Sequence, residues 1–256
     1  MSPNTPPGAS GGALAIIAAL PRELDLLARD LGAVVSKTGS RRDESKGLLL
    51  QTASMKDGSC PMVLATAGMG AERVSLAVAA VLAHGPIATL LSVGFAGACD
   101  PSLNPGDVIE ASLVIDSRSG ERFPTDAAFE VAAPGVLVSS TQIAGIAEKR
   151  RLRATYNAAA VDMEAATVAR LARAHGIPFG TLKAISDEHD VDLTALSTFT
   201  DVHGHFRTSA FALHTLLRPG QWRAAARLGR NSKSALQNLT HAVHQLIVKR
   251  VTRETS

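Results

Sequence analysis

The sequence predicts an α/β protein built on one sheet with helices covering both faces. Two patterns carry that prediction. Short continuous apolar runs such as "ALAIIAAL", "CPMVLATA" and "IATLLSVGFAGA" read as strands buried on both sides. Between them lie longer stretches whose apolar residues recur at helical spacing. "AERVSLAVAAVLAHG" is one, stopped by Gly85 with Pro86 just beyond. Strands alternating with helices argue for a single α/β sheet.

Taken in order, "ALAIIAAL" is the first strand. "PRELDLLARDL" follows as a helix, with Pro21 at its start and Leu24, Leu27 and Leu31 spaced along it. "SKTGSRRDESKG" reads as a polar loop. "LLLQTAS" and "CPMVLATAGMG" are strands, the second ending in glycines, and the helix that Gly85 stops comes next. "IATLLSVGFAGACD" is a buried strand that runs into a glycine-containing turn. "DVIEASLVID" and "GVLVSSTQIA" are further strands, and "AEKRRLRATYN" is a charged helix. "DMEAATVARLARAHG" is a helix with Gly176 at its stop and Pro178 soon after, and "PFGTLKAIS" is the strand beyond it. "SAFALHTLL" and "NSKSALQNLTHAVHQLIVKR" close the chain as helices.

Composition fits this scheme. A 256-residue chain with 46% hydrophobic and 4% aromatic residues builds its core from Ala, Val, Leu and Ile. The net charge of +3 and pI of about 9.1 come largely from the last third, without the basic face and interleaved aromatics of a nucleic-acid binder. Cys60 and Cys99 lack metal-ligand spacing and read as small buried hydrophobes in a reducing compartment. "MSPNTPPGASGG" reads as a disordered leader over residues 1–12, ahead of one domain over residues 13–256. The apolar run after it is too short to span a bilayer and lacks a basic flank, so a cytoplasmic protein without membrane insertion is expected.

Sites in such sheets lie at the carboxyl ends of strands. Three acids fall at or near such ends: Glu23, Glu164 and Asp187. Taken singly, Glu23 and Glu164 read as first-turn acids matching a helix dipole, and Asp187 as an N-cap. The glycine turns "TAGMGAERV" and "VGFAGACDPSLNPGD" are neither a Walker loop nor a dinucleotide fingerprint. Together the acids suit cleavage of a glycosidic bond. That reaction passes through a ribosyl cation, and it needs an acid for the leaving group, a carboxylate to activate water and a group to hold the sugar hydroxyls.

"VDMEAATVARLARAHGIPFGTLKAISD" resembles the signature of the purine nucleoside phosphorylase and 5′-methylthioadenosine/S-adenosylhomocysteine nucleosidase superfamily. There a Met-Glu pair opens a helix and a Ser-Asp pair ends the next strand. "VGFAGACDPSLNPGDVI" and "IIAALPRELDLL" are similar to two further segments of that superfamily, so the likeness spans Ala13 to Asp190. It implies a three-layer α/β/α sandwich with a central mixed sheet. It implies Asp187 as the general acid for purine N7, held protonated by burial beside other acids, and Glu23 as the activator of water. Glu164 is implied at the ribose hydroxyls, Met163 on the sugar face and Ser186 as the group orienting Asp187. Ala96, Gly97, Phe95 and Ile143 are implied as pocket lining. No metal or organic cofactor is implied, and a homodimer or larger homo-oligomer is.

The chain also departs from the family's patterns. Phosphorylases of the superfamily carry an arginine just before the glycine turn, where this chain has Ser92, and Arg22 and Arg73 are the remaining candidates for phosphate. Gln142 and Ile143 stand where a purine-stacking phenylalanine is expected, and Phe95 where small residues are usual. "FTDVHGHFRTSAFALHTLLRPGQW" resembles the hopanoid-associated branch, which handles adenosyl groups on a large lipid. The expected activity is hydrolysis of a 5′-substituted adenosine. A phosphate-dependent phosphorylase, acting on an adenosylated hopanoid, and a non-catalytic nucleoside binder are the alternatives.

Overall fold

The computed structural model describes residues 12–19, 34–43, 47–54, 60–126, 130–194 and 222–254. Its strands are β1 (Ala13–Ala18), β2 (Val34–Asp43), β3 (Leu48–Ser54), β4 (Pro61–Thr66), β5 (Ile87–Ala98), β6 (Val108–Asp116), β7 (Arg122–Pro124), β8 (Ala133–Ser139), β9 (Ala160–Asp162) and β10 (Phe179–Asp187). Its helices are α1 (Ala71–His84), α2 (Ile146–Tyr156), α3 (Ala165–Ala174) and α4 (Trp222–Glu254). The leader, the helix read over 21–31 and the one read at "SAFALHTLL" lie outside the described residues.

The sheet is mixed. β1 runs parallel to β4 and β5, and β5 parallel to β10, while β3 is antiparallel to both β2 and β4. On the other side β10 pairs β6, β6 pairs β8, β8 pairs β9, and β9 returns to β5. These five strands close a ring, so this half of the sheet curls into a small barrel.

Side-chain alternation along the strands builds the layers. On β1, Ala15 and Ile17 join Val74, Ala77, Val78 and Val81 of α1 and the buried residues of α3. Leu14, Ile16 and Ala18 face the other way, toward Ala235, Leu239, Val243 and Leu246 of α4. The sheet is thus covered on both faces, as the apolar runs require. Arg170 and Arg173 of α3 pair with Asp116 and Glu121, pinning that helix to the β6–β7 hairpin.

Two expectations are corrected. "SKTGSRRDESKG" is strand rather than loop as far as Asp43, because its backbone pairs with β3. β2 stands at the end of the strand order, where an exposed charge such as Arg42 discourages further pairing. The helix expected from Asp162 begins at Ala165. Asp162 instead ends β9, and its carboxylate accepts from Ala165 N–H at 2.9 Å. Glu164 is therefore the N-cap residue and not a residue inside the first turn.

Candidate active site

The carboxyl ends of β1, β4, β5 and β10 meet around a cavity of about 180 Å³. Ala19 reaches it from β1, Met69 from the turn after β4 and Gly94–Gly97 from β5 itself. Phe95, Ala96, Gly97, Ile143, Met163, Glu164, Ser186 and Asp187, all expected from sequence, line it together. Glu23 lies outside the described residues, as does Arg22.

Local backbone geometry explains how adjacent Ser186 and Asp187 reach one cavity. In a regular strand neighbours point to opposite faces. Here the β10–β5 register slips, with Ile185 opposite Ala96 but Asp187 opposite Gly97. A bulge of this kind re-aims side chains next to a site. The segment "SLNPGD" braces it: Gly106 N–H donates to Ile185 O at 2.9 Å, and Ile185 N–H to Asp107 O at 2.8 Å.

Asp187 is 5% exposed. Its Oδ1 accepts from Ser186 Oγ at 2.5 Å. Its Oδ2 lies 2.5 Å from Nζ of Lys149, a residue of α2 that is only 1% exposed. The charged neighbour bonded to Asp187 is thus a cation, and the expectation of burial beside other acids is corrected on that point. Lys149 Nζ also donates to Glu188 O at 2.8 Å and Val191 O at 3.0 Å. An ammonium has three protons, and all three are placed. Gly97 makes room for the pair, since a Cβ there would lie 3.0 Å from Asp187 Oδ2 and 3.1 Å from Lys149 Cε. Close by, burial pushes the Cys99 thiol up to about 12, against the pull of the Lys149 charge.

Glu164 is held from across the cavity, where Gly70 N–H donates to its Oε1 at 2.8 Å. Gly70 sits at φ +90°, a conformation L side chains rarely adopt. Beneath it, Asp162 accepts from Ser139 Oγ at 2.5 Å and pairs with buried Lys183 at 2.9 Å. Ser139 Oγ in turn accepts from Ala166 N–H at 2.9 Å. This network fixes the start of α3 and hence Met163 and Glu164.

The sequence reading missed Lys149, Asp162, Met69 and Leu193 as cavity residues. Lys149 hides in the charge run "AEKRRLRA", and the available signal is its place three residues before buried Leu152 on one helix face. Ser92 is buried and lies outside the cavity lining. Arg73 uses Nε on Ala67 O at 2.7 Å. Among the described lining residues Lys149 is the one cation, and its protons are all engaged. No cluster of metal-ligating side chains occurs among the described residues.

The model of the Phosphorylase superfamily matches residues 13–138 and 131–218. Three solved structures illustrate the fold likeness. A 5′-methylthioadenosine/S-adenosylhomocysteine nucleosidase from Helicobacter pylori has a TM-score of 0.68 at 15% identity, over 92% of this chain and 97% of that one. Futalosine hydrolase of Helicobacter pylori gives 0.69 at 17%, over 92% and 97%. The 5′-methylthioadenosine nucleosidase of Arabidopsis thaliana gives 0.70 at 17%, over 92% and 94%. With its family model matched over most of its length, and its cavity at the strand ends, this chain belongs to the Phosphorylase superfamily.

Proposed function

We propose that the protein hydrolyses the N-glycosidic bond of a 5′-substituted adenosine and releases adenine. The observation that carries this reading is the meeting of Asp187, Ser186, Glu164 and Met163 in one cavity whose single described cation has no proton left for a phosphate. Departure of the base builds positive charge on the ribose and negative charge on the purine. Asp187 gives its proton to N7 of the leaving base, and Ser186 orients it. Glu164 accepts from the ribose hydroxyls with Gly70 N–H fixing its carboxylate, and Met163 packs on the sugar. Glu23 is assigned the activation of the attacking water, as the family resemblance implies. Apolar Met69, Phe95, Ile143 and Leu193 suit an apolar 5′ group.

The likeness to nucleosidases acting on methylthioadenosine supports the same substrate class. We extend the reading to a cytoplasmic homo-oligomer. No described helix is long and apolar enough to cross a membrane.

Free base release from methylthioadenosine, S-adenosylhomocysteine and inosine, with and without phosphate, tests the reading. Adenine from the first two without phosphate is the expected result. Release only with phosphate makes the protein a phosphorylase, and adenine bound but never released makes it a binder.

A further inference from the structure

Lys149 has no role in the chemistry described so far, yet it is among the most deeply buried side chains of the protein. Burying an ion pair gains little stability, since apolar residues of similar volume often serve as well or better. A fold that needed only packing at this point on α2 could use a leucine, as it does at Leu152. Lys149 instead lines the cavity and puts Nζ 2.5 Å from Asp187. The absence of a side chain at Gly97 leaves room for that contact.

Resting on the nucleosidase reading, we propose that the departing base is protonated by Asp187 and Lys149 acting as a unit, with Lys149 the positioning residue. As the C1′–N9 bond breaks, its electron pair moves into the purine. The Asp187 O–H bond breaks, its proton forms the N7–H bond, and a carboxylate remains on Asp187. The Lys149 ammonium, unchanged throughout, faces that carboxylate and stabilises the charge that the transfer creates. Water adds to C1′ and gives up one proton, which replaces the one Asp187 lost.

Ser186 follows the change. Its hydroxyl has one hydrogen and two acceptors within reach, Asp187 Oδ1 at 2.5 Å and Ala96 O at 3.3 Å. It bonds the carbonyl when Oδ1 carries the proton and the carboxylate when it does not. Lys149 also ties the state of Asp187 to the next segment through Glu188 O and Val191 O, and that segment brings Leu193 to the cavity.

The test compares two leaving groups. Adenine needs a proton to depart, whereas nitrophenolate does not. Lys149→Gln, Lys149→Arg and Gly97→Ala are assayed on methylthioadenosine and on 4-nitrophenyl ribofuranoside. Lys149→Gln is expected to lower kcat for adenine release by about 100-fold or more, in the range of lost general-acid catalysis. KM should move little, the loss on the nitrophenyl substrate should be far smaller, and Lys149→Arg should recover much of the adenine rate. Equal losses on both substrates, or full adenine release by Lys149→Gln, overturn the proposal. Should Lys149→Gln fail to fold, Gly97→Ala decides, because it crowds the same pair while keeping both charges: the same split is expected, and equal losses overturn the proposal. A wild-type protein that cleaves neither substrate refutes the nucleosidase reading itself. A wild type that cleaves both, with variants showing no split, refutes only the role of Lys149.

Discussion

In the proposed reaction Asp187 concentrates the chemistry in one side chain. Asp187→Asn keeps the shape and removes the proton, so adenine release by the folded variant should fall by a factor of about 10²–10⁴, and its melting temperature should fall as well, because buried Lys149 loses its carboxylate. Retained turnover would remove Asp187 from the acid role. Glu164→Gln should lower kcat rather than raise KM alone, because the ribose bonds proposed for it would strengthen as charge builds there. Steady-state kinetics on methylthioadenosine separate the two. Lys183, by contrast, belongs to the scaffold. Lys183→Met strands the Asp162 carboxylate in the interior. Breaking a buried pair in this way costs about 3–5 kcal/mol. The melting temperature should fall by roughly 6–20 °C in a protein of this size. At this scale Asp187 and Glu164, taken singly, read as a cap and a first-turn acid, and they became candidates through their grouping with Glu23 and the family resemblance. The sequence hid Lys149 and Lys183, because a lysine in a charge run or a strand looks the same whether its partner is water or a carboxylate contributed by a distant part of the chain.

At the scale of elements, the strands and helices with strong periodicity were readable. β3 matched "LLLQTAS" residue for residue, and α1 ran from Ala71 to His84 as its spacing required. β2 was not readable, because an edge strand needs no apolar pattern when its stability comes from backbone pairing on one side. The bulge at Ser186 left no trace in the sequence either, since a register slip is a property of two strands together. The anchoring of α3 yields a pH prediction. Burial works against the charged form of Asp116, but the hydrogen bond from Arg170 and the others it accepts outweigh that and hold its carboxyl below the ordinary 3.8. A depressed value in the folded state gives stability that is fully present above 3.8 and is lost as pH falls through the folded value. Asp116→Asn should therefore be less stable than the wild type at pH 7, with the gap shrinking under acid. Urea unfolding across that range checks it, and a gap independent of pH would contradict it.

At the scale of the molecule, the sheet's ring of β5, β10, β6, β8 and β9 explains why residues nearly a hundred positions apart share one cavity. β5 brings Phe95, Ala96 and Gly97, β10 brings Ser186 and Asp187, and β9 leads into Met163 and Glu164. The three acids could be proposed as a cluster from the strand-end rule, but the closure that brings Asp187 toward α2 and its lysine could not. The same closure favours water over phosphate, because the ammonium that might have held an anion is already held by Asp187 and two carbonyls. The most direct test of this account follows adenine release from methylthioadenosine in phosphate-free buffer, for the wild type and for Asp187→Asn side by side. The account predicts sustained release by the wild type and its near-complete loss in the variant. Release that waits for phosphate, or that proceeds equally in both proteins, would contradict it.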